Sequence, residues 1–522
     1  MKGSATHLSC DSLGMALHVH WWLLGCHVVS FIACITIHST STLPPDLPTP
    51  SPPSSAHSWN LFGRPGDGYY TSVEVGTPSQ KFNVLVDTGS SNFAIAAVMQ
   101  KELDSYFEAK NSSSFVDLEK EVEVGYTQGS WSGRLGKDVV LFPALQAGTT
   151  PYLMDLVLIT SSHNFYVNNS QWQGIVGLAF PVLAKPQGAV QPWIDEVILR
   201  DNLTNAFTLE LCGPSREAGP SSHYGRLTLG SGSGSCSPVA VSCPIRRKWF
   251  YEVVVTALSL QGKEVSIPCI KFNTDKTIVD SGTSNLRLPP EVFKAVMKEL
   301  KLQASGGMNP PLPEGFWSGN EEACWPESSK LWMNFPNLTI HLATGNHSAI
   351  TITVGPRSYL RPAPDSVSTS LLDCWVLGIE ESQTGTVLGA VILEGLCVTF
   401  DRAQGVITFS ESTCGPLVTL SETHNTEDMS VCMYTPKRVG ALTLASYIMG
   451  GLLGFLSLPL VLAALRCSSK EGWWPLLLLP NLWLRMVAHP VAAQPVVKDG
   501  GPSCCCPACG EGWWPHLLLP NM

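Results

Sequence analysis

Two seven-residue segments hold the groups in this chain that could do chemistry: Val86-Asp87-Thr88-Gly89-Ser90-Ser91-Asn92 and Val279-Asp280-Ser281-Gly282-Thr283-Ser284-Asn285. Five of the seven positions are identical, and the other two exchange Ser for Thr. A single Asp-(Ser/Thr)-Gly is an ordinary turn, since Asp and Gly favour tight turns. Here it recurs in the same setting. Phe82, Val84 and Leu85 lead into the first copy, and Ile278 and Val279 into the second. Both read as a buried strand running into a hydroxyl-lined loop. An isolated Asp titrates at ~4 and is a poor base at mildly acid pH. Two in contact cannot both ionise cheaply, so they share a proton and titrate as a unit. The ionised member can draw a proton from a water held between them while the protonated member donates to a substrate carbonyl. Attack by that water gives a tetrahedral diol with no covalent intermediate. Catalytic roles therefore fall to Asp87 and Asp280. Ser90 and Thr283, three residues after each Asp, can hold the outer carboxylate oxygens. Thr88 and Ser281 can cross-link the two loops, and Gly89 and Gly282 allow the main chains to approach.

The aspartates lie 193 residues apart, about one small domain each, which is the layout of a duplicated lobe. The rest of the pattern is all-β, with strands bounded by Gly, Pro and Asn clusters and two lobes related by a pseudo-twofold, the cleft between them. The clearest helix is 290–300, with proline in its first turn. After the first Asp comes Gly174-Ile175-Val176-Gly177-Leu178-Ala179, and after the second Thr386-Val387-Leu388-Gly389-Ala390. Taken singly, each reads as an ordinary buried strand. Tyr126-Thr127-Gln128-Gly129-Ser130-Trp131 reads as strand, turn, strand.

This constellation resembles the pepsin-like aspartic proteases over roughly Tyr69 to Cys432. The resemblance implies a bilobal fold in which the two apolar segments pass beneath the catalytic loops. It also implies that the 126–131 hairpin is a flap closing over substrate through Tyr126, Thr127 and Gln128, with Trp131 supporting the tyrosine. Within that family the chain is most similar to the membrane-anchored beta-secretases, the memapsins. Asn92-Phe93-Ala94, the Tyr-Thr-Gln-Gly-Ser-Trp flap, Leu286-Arg287-Leu288-Pro289, Gly315-Phe316-Trp317, Cys324-Trp325, Glu394-Gly395 and Phe400-Asp401-Arg402-Ala403-Gln404 carry that likeness. It implies that Arg287 lines the cleft and favours polar or acidic substrate side chains. It also implies three disulfides: Cys212–Cys414, Cys269–Cys432 and Cys324–Cys374. Ser284 and Cys397 depart from the family pattern, the latter replacing an aromatic.

Seventeen cysteines point to an oxidising compartment. Cys236 and Cys243 flank a Gly/Ser turn and are candidates to close a hairpin; free buried thiols are the alternative. Sequons at Asn111, Asn168, Asn202, Asn337 and Asn346 are candidate glycosylation sites in a secretory protein. Residues 1–38 read as a signal peptide and 39–64 as a Pro/Ser-rich pro-segment or linker. The catalytic lobes are expected at 65–240 and 241–420, and a stalk at 421–438. A transmembrane helix is expected at 439–465, where no charged residue occurs over more than the ~20 needed to cross a bilayer. The remaining 466–522 is a cytoplasmic tail of uncertain structure, in which Glu471–Pro480 recurs as Glu511–Pro520 with one change.

A formal charge of −10 and 14% charged residues argue against nucleic-acid partners and against a disordered chain. The expectation is a single-pass type I membrane endopeptidase, needing no cofactor and no metal, with its catalytic region lumenal or extracellular. Its partners would be polypeptides, chiefly type I membrane proteins, and membrane lipid around one helix. Two alternatives are a weak or inactive homologue acting as a peptide-binding receptor, and a cathepsin D-like degradative protease. The feature weighing against a dead copy is the retention of both aspartates with their glycine and hydroxyl neighbours.

Overall fold

In a computed structural model of the chain, the described residues are 56–64, 68–127, 129–143, 151–166, 170–213, 224–230, 236–304, 311–345, 347–363, 373–424, 428–435 and 441–468. The chain divides into two units, Met1–Pro436 and Lys437–Met522.

Among the described residues of the first unit, strands predominate and helices are few. Its largest sheet has 13 strands and contains residues from both halves of the sequence. Within it, Ala206–Leu211 pairs antiparallel with Leu396–Asp401, with Phe207 opposite Phe400 and Leu209 opposite Val398. The two phenylalanine rings stack with centroids 4.7 Å apart, and Tyr251 packs onto Phe400 at 4.5 Å. All three are fully buried. Side chains of this size each contribute about 1.5–3 kcal/mol on leaving water. The lobes are therefore joined by a shared sheet and a common aromatic core.

The same strand plan occurs twice. In the N-terminal half, Gln80–Asp87 runs parallel to Gly174–Gly177, which is antiparallel to Phe93–Ala96, which in turn is parallel to Tyr152–His163. In the C-terminal half, Thr277–Val279 runs parallel to Thr386–Leu388, which is antiparallel to Leu286–Leu288, itself parallel to Ile379–Glu381. Asp87 ends the first strand of its set, and Asp280 follows directly after the last residue of its own. The strands beneath them, Gly174–Gly177 and Thr386–Leu388, are buried at every position. That is why these segments read as continuous apolar runs instead of alternating ones.

Two of the expected segments meet strands of the large sheet. His57–Arg64, assigned in the sequence to a pro-segment or linker, is a strand of the large sheet, antiparallel to Gly225–Leu229 and to Gly68–Val75. Trp59 and Leu61 are buried in the core, and the Trp59 indole N–H donates to the Phe142 carbonyl at 3.1 Å. The lobe boundary expected at 240 falls inside the strand Cys236–Pro244. The helix expected over 290–300 runs Pro290–Ala304.

Cys212–Cys414, Cys269–Cys432 and Cys324–Cys374 are bonded in the structure. The hairpin suggested for Cys236 and Cys243 is replaced by a different pairing. Both lie on one extended strand, where seven residues span roughly 20 Å, far beyond the ~7 Å that a disulfide tolerates between Cα atoms. Cys236 instead bonds Cys397, the residue that departs from the family's aromatic. Cys243 stays free and buried, its thiol pushed up to about 12 by burial.

The second unit contains the helix Ala441–Ser468, 28 residues long with Pro459 inside it. Among the described residues no helix is long and apolar enough to cross a membrane; the side chains of 441–445, 448, 460 and 463–468 lie outside that set. Residues 1–55, positions 439–440 of the expected span, Gln128, Asn168, Asn346 and the tail repeat also lie outside the described residues.

Candidate active site

The loops after the two Asp strands meet at the junction of the lobes, and their glycines reveal how closely. A β-carbon built on Gly89 would stand 2.6 Å from the Asp280 Cγ, and one on Gly282 would stand 2.3 Å from the Asp87 Oδ1. Each carboxyl thus occupies the space left by the other loop's missing side chain. Neither glycine has a positive φ, so close approach, not backbone conformation, is what excludes a side chain here.

Each carboxylate is held locally in the same way. The Gly89 N–H donates to Asp87 Oδ1 at 2.7 Å and the Ser90 hydroxyl to Asp87 Oδ2. The Gly282 N–H donates to Asp280 Oδ1 at 2.9 Å and the Thr283 hydroxyl to Asp280 Oδ2 at 2.8 Å. Both oxygens of each group are thereby held from within its own loop, and each carboxyl stands against the other loop's glycine.

Thr88 and Ser281 tie the loops together. The Thr88 hydroxyl donates to the Val279 carbonyl at 3.0 Å and accepts from the Ser281 N–H at 2.9 Å. The Ser281 hydroxyl donates to the Val86 carbonyl at 2.7 Å and accepts from the Thr88 N–H at 3.1 Å. Four bonds cross between lobes from two buried side chains. They fix two backbone loops that would otherwise have no common element.

Asp87 is 3% exposed and Asp280 8%. Burial, and then the Asp280 charge beside it, hold the Asp87 carboxyl well above the usual carboxylate range. At mildly acid pH the pair therefore keeps a proton. This is a carboxyl group poised as an acid next to a second carboxyl within reach.

Over the pair lies the hairpin of Val116–Gly125 and Ser130–Leu141, closed by a tight turn in which the Tyr126 N–H donates to the Gly129 carbonyl at 2.9 Å. The Trp131 indole N–H donates to the Tyr126 hydroxyl at 3.0 Å. The Tyr126 ring stacks on Phe165 with centroids 5.6 Å apart. Burial and the Asp87 charge raise the Tyr126 phenol above its ordinary value, so it stays protonated and able to donate. At the tip, the Thr127 hydroxyl lies 2.9 Å from that of Thr384, between Ile379–Glu381 and Thr386–Leu388 of the other lobe. The hairpin thus reaches across the cleft and touches the far side.

Arg287 is 8% exposed, and its Nε lies 3.3 Å from Glu380 Oε2. Asn285 Nδ2 donates to the other Glu380 oxygen at 2.6 Å. An internal carboxylate therefore already faces the guanidinium expected to greet acidic substrate groups. Sequence reasoning missed Glu380 in this role, as it missed Phe165 under the flap and Thr384 opposite its tip; nothing near any of the three in the chain marks it. Among the described residues, one cluster has metal-ligand composition, Glu322 with Cys324 and Cys374, and both its sulfurs are spent in a disulfide. Asn111, Asn202 and Asn337 are exposed.

Comparison with known proteins bears on this geometry. The family model for eukaryotic aspartyl protease matches residues 68–412. A beta-secretase of Strongylocentrotus purpuratus is 35% identical over 79% of this chain and 83% of its own length. Pepsin A of Gallus gallus is 26% identical over 66% of this chain and 83% of its own.

Proposed function

This chain belongs to the eukaryotic aspartyl protease family and is a pepsin-like aspartic endopeptidase of beta-secretase type, and from that premise we propose how it cuts and where. Asp87 and Asp280 share one proton and hold the attacking water between their inner oxygens. One carboxylate takes the water proton as the other carboxyl donates to the scissile carbonyl oxygen. The diol collapses with the proton returned to the leaving amine. The observation that carries this assignment is the reciprocal fit of Gly89 against Asp280 and Gly282 against Asp87. Hydroxyls of Ser90 and Thr283 keep both carboxyls aimed inward, and the 126–131 flap with Tyr126 excludes bulk water above them.

The enzyme is anchored by the apolar stretch 439–465, with the catalytic unit lumenal or extracellular. In support, 439–465 carries no charged residue over more than the ~20 positions needed to cross a bilayer. Its substrates are membrane proteins of the same compartment. Tethering raises their effective concentration, so modest sequence preference suffices. With Glu380 beside it, Arg287 supplies directed N–H donors more than net charge, so substrate side chains near it are polar in preference to acidic. Asn111, Asn202 and Asn337 are open to glycan attachment.

The test is cleavage of a membrane-tethered reporter by the full chain and by Asp87→Asn and Asp280→Asn. Each variant should fold, reach the same compartment and lose cleavage by at least roughly 10³-fold, in the range for a positioned acid–base group. Retained cleavage in either variant overturns the assignment.

A further inference from the structure

Behind the Asp280 loop lies a buried polar network that the chemistry above does not use. Arg361 is 3% exposed, Glu394 2% and Tyr69 6%. The Arg361 guanidinium donates through Nη1 to Glu394 Oε2 and through Nη2 to the Ser284 carbonyl at 3.3 Å. The Tyr69 hydroxyl donates to Glu394 Oε1 at 2.8 Å and accepts from the Gly213 N–H at 3.0 Å. Tyr69 belongs to the strand Gly68–Val75 of the N-terminal half, Arg361 to Leu360–Pro362, and Glu394 follows the short helix Ala390–Leu393. Ser284 is the residue after Thr283, whose hydroxyl holds Asp280.

A buried ion pair is seldom worth more to stability than apolar side chains of the same size. What this one supplies is geometry. A planar guanidinium binds two acceptors in a fixed fork, here a carboxylate and the backbone of the Asp280 loop. The carboxylate is itself fixed by a hydroxyl from the opposite lobe. The two halves differ at this point. The Val391 N–H reaches the Ser284 carbonyl at 3.1 Å, whereas the matching Phe180 N–H turns to the Trp249 carbonyl. The Glu394 charge and hydrogen bond outweigh the burial that opposes the Arg361 charge, so the guanidinium stays protonated.

We propose that Arg361, Glu394 and Tyr69 are positioning residues that set the separation of Asp280 from Asp87. The inference rests on the reading of those two aspartates as the catalytic pair. Among the described residues, the titratable and charged groups that act on the network are its own three members. The pair itself is faced by Tyr126 from the flap, with the Ser90 and Thr283 hydroxyls.

The spacing of the pair governs how strongly its two protons are coupled, hence the width of the bell-shaped pH profile. Full-length enzyme is compared with Arg361→Lys, which cannot form the fork, with Arg361→Met/Glu394→Leu, which removes both charges together, and with Tyr69→Phe. The readouts are kcat, KM and pH profile on a quenched fluorogenic peptide, with a melting curve for each variant. The expected result for the first two is kcat down by roughly 10–100-fold, the cost of a sub-ångström to ångström misplacement. KM should stay within about threefold by the same reasoning, and the two limbs of the profile should move toward each other. Tyr69→Phe should do the same with about a fivefold loss, and being the mildest change it decides the matter where the others do not fold. Folded variants with wild-type kcat and profile width, whatever their melting temperature, overturn the proposal. Asp280→Asn is run in parallel. Its retained activity would sink the catalytic assignment, whereas its inactivity beside normal Arg361 variants would sink only the positioning role.

Discussion

Gly282→Ala is the sharpest probe of how near the two carboxyls come. The added methyl would lie 2.3 Å from Asp87 Oδ1, 2.7 Å from its Cγ and 3.2 Å from its Cβ. Ordinary contact begins at 3.4 Å, so the carboxyl must retreat by about 1 Å. Ser90 and the Gly89 N–H, which hold the two oxygens of Asp87, resist that movement. Overpacking of this kind costs about 1–3 kcal/mol in stability, which a catalytic unit with four disulfides and a core spanning both lobes can absorb. An ångström of misplacement at reacting groups costs about 100-fold in rate, equivalent to about 2.7 kcal/mol of transition-state stabilisation. Gly355→Ala is the control. Its nearest neighbour would be Asn337 Oδ1 at 3.9 Å, and its φ of −80° suits any residue. The assay is kcat/KM on a quenched peptide together with a melting curve for each protein. A Gly282→Ala enzyme that melts normally and keeps its rate within threefold of wild type would refute the argument that the carboxyls share this space.

Two further outcomes follow from the site. The raised pKa of Asp87 means that its folded form binds a proton more tightly than the unfolded chain does. The stability this contributes is complete below the ordinary carboxylate pKa and is lost as pH rises through the folded value, with about 1.4 kcal/mol at stake for every tenfold gain in proton affinity on folding. Asp87→Asn should therefore flatten the loss of melting temperature between acid and neutral pH; a variant as pH-sensitive as wild type would contradict the sign. Thr384→Ala removes the hydroxyl that meets the flap tip at 2.9 Å. Losing one exposed neutral hydrogen bond of ~0.5–1 kcal/mol should raise KM by about two- to fivefold with kcat little changed, and an unchanged KM would show that the contact does not hold the flap.

Part of this site was legible because its signals are local. Ser90 and Thr283 reach the carboxyls from three residues away, and Gly89 and Gly282 donate from two, so each loop's internal chemistry is written in one heptapeptide. Apolar runs beneath the loops and a strand-turn-strand flap are likewise short-range patterns. Three disulfides came with the family likeness. Cys236–Cys397 did not, because neither cysteine carries any local mark of a partner 161 residues away.

The sequence by itself determined that two equivalent acids exist, each on a loop able to hold it ionised or protonated. Only the tertiary structure decided what stands opposite each group: Asp280 in the space beside Gly89, Glu380 against Arg287, Glu394 between Arg361 and Tyr69, and His57–Arg64 as a sheet strand where a pro-segment or linker was expected. The reason is physical. Pairings inside a loop are fixed by rotamers and turn geometry over a few residues, while pairings between lobes depend on how two separately patterned sheets pack. Hydrophobic burial, which drives that packing, is non-directional and leaves no residue-by-residue record of its partners.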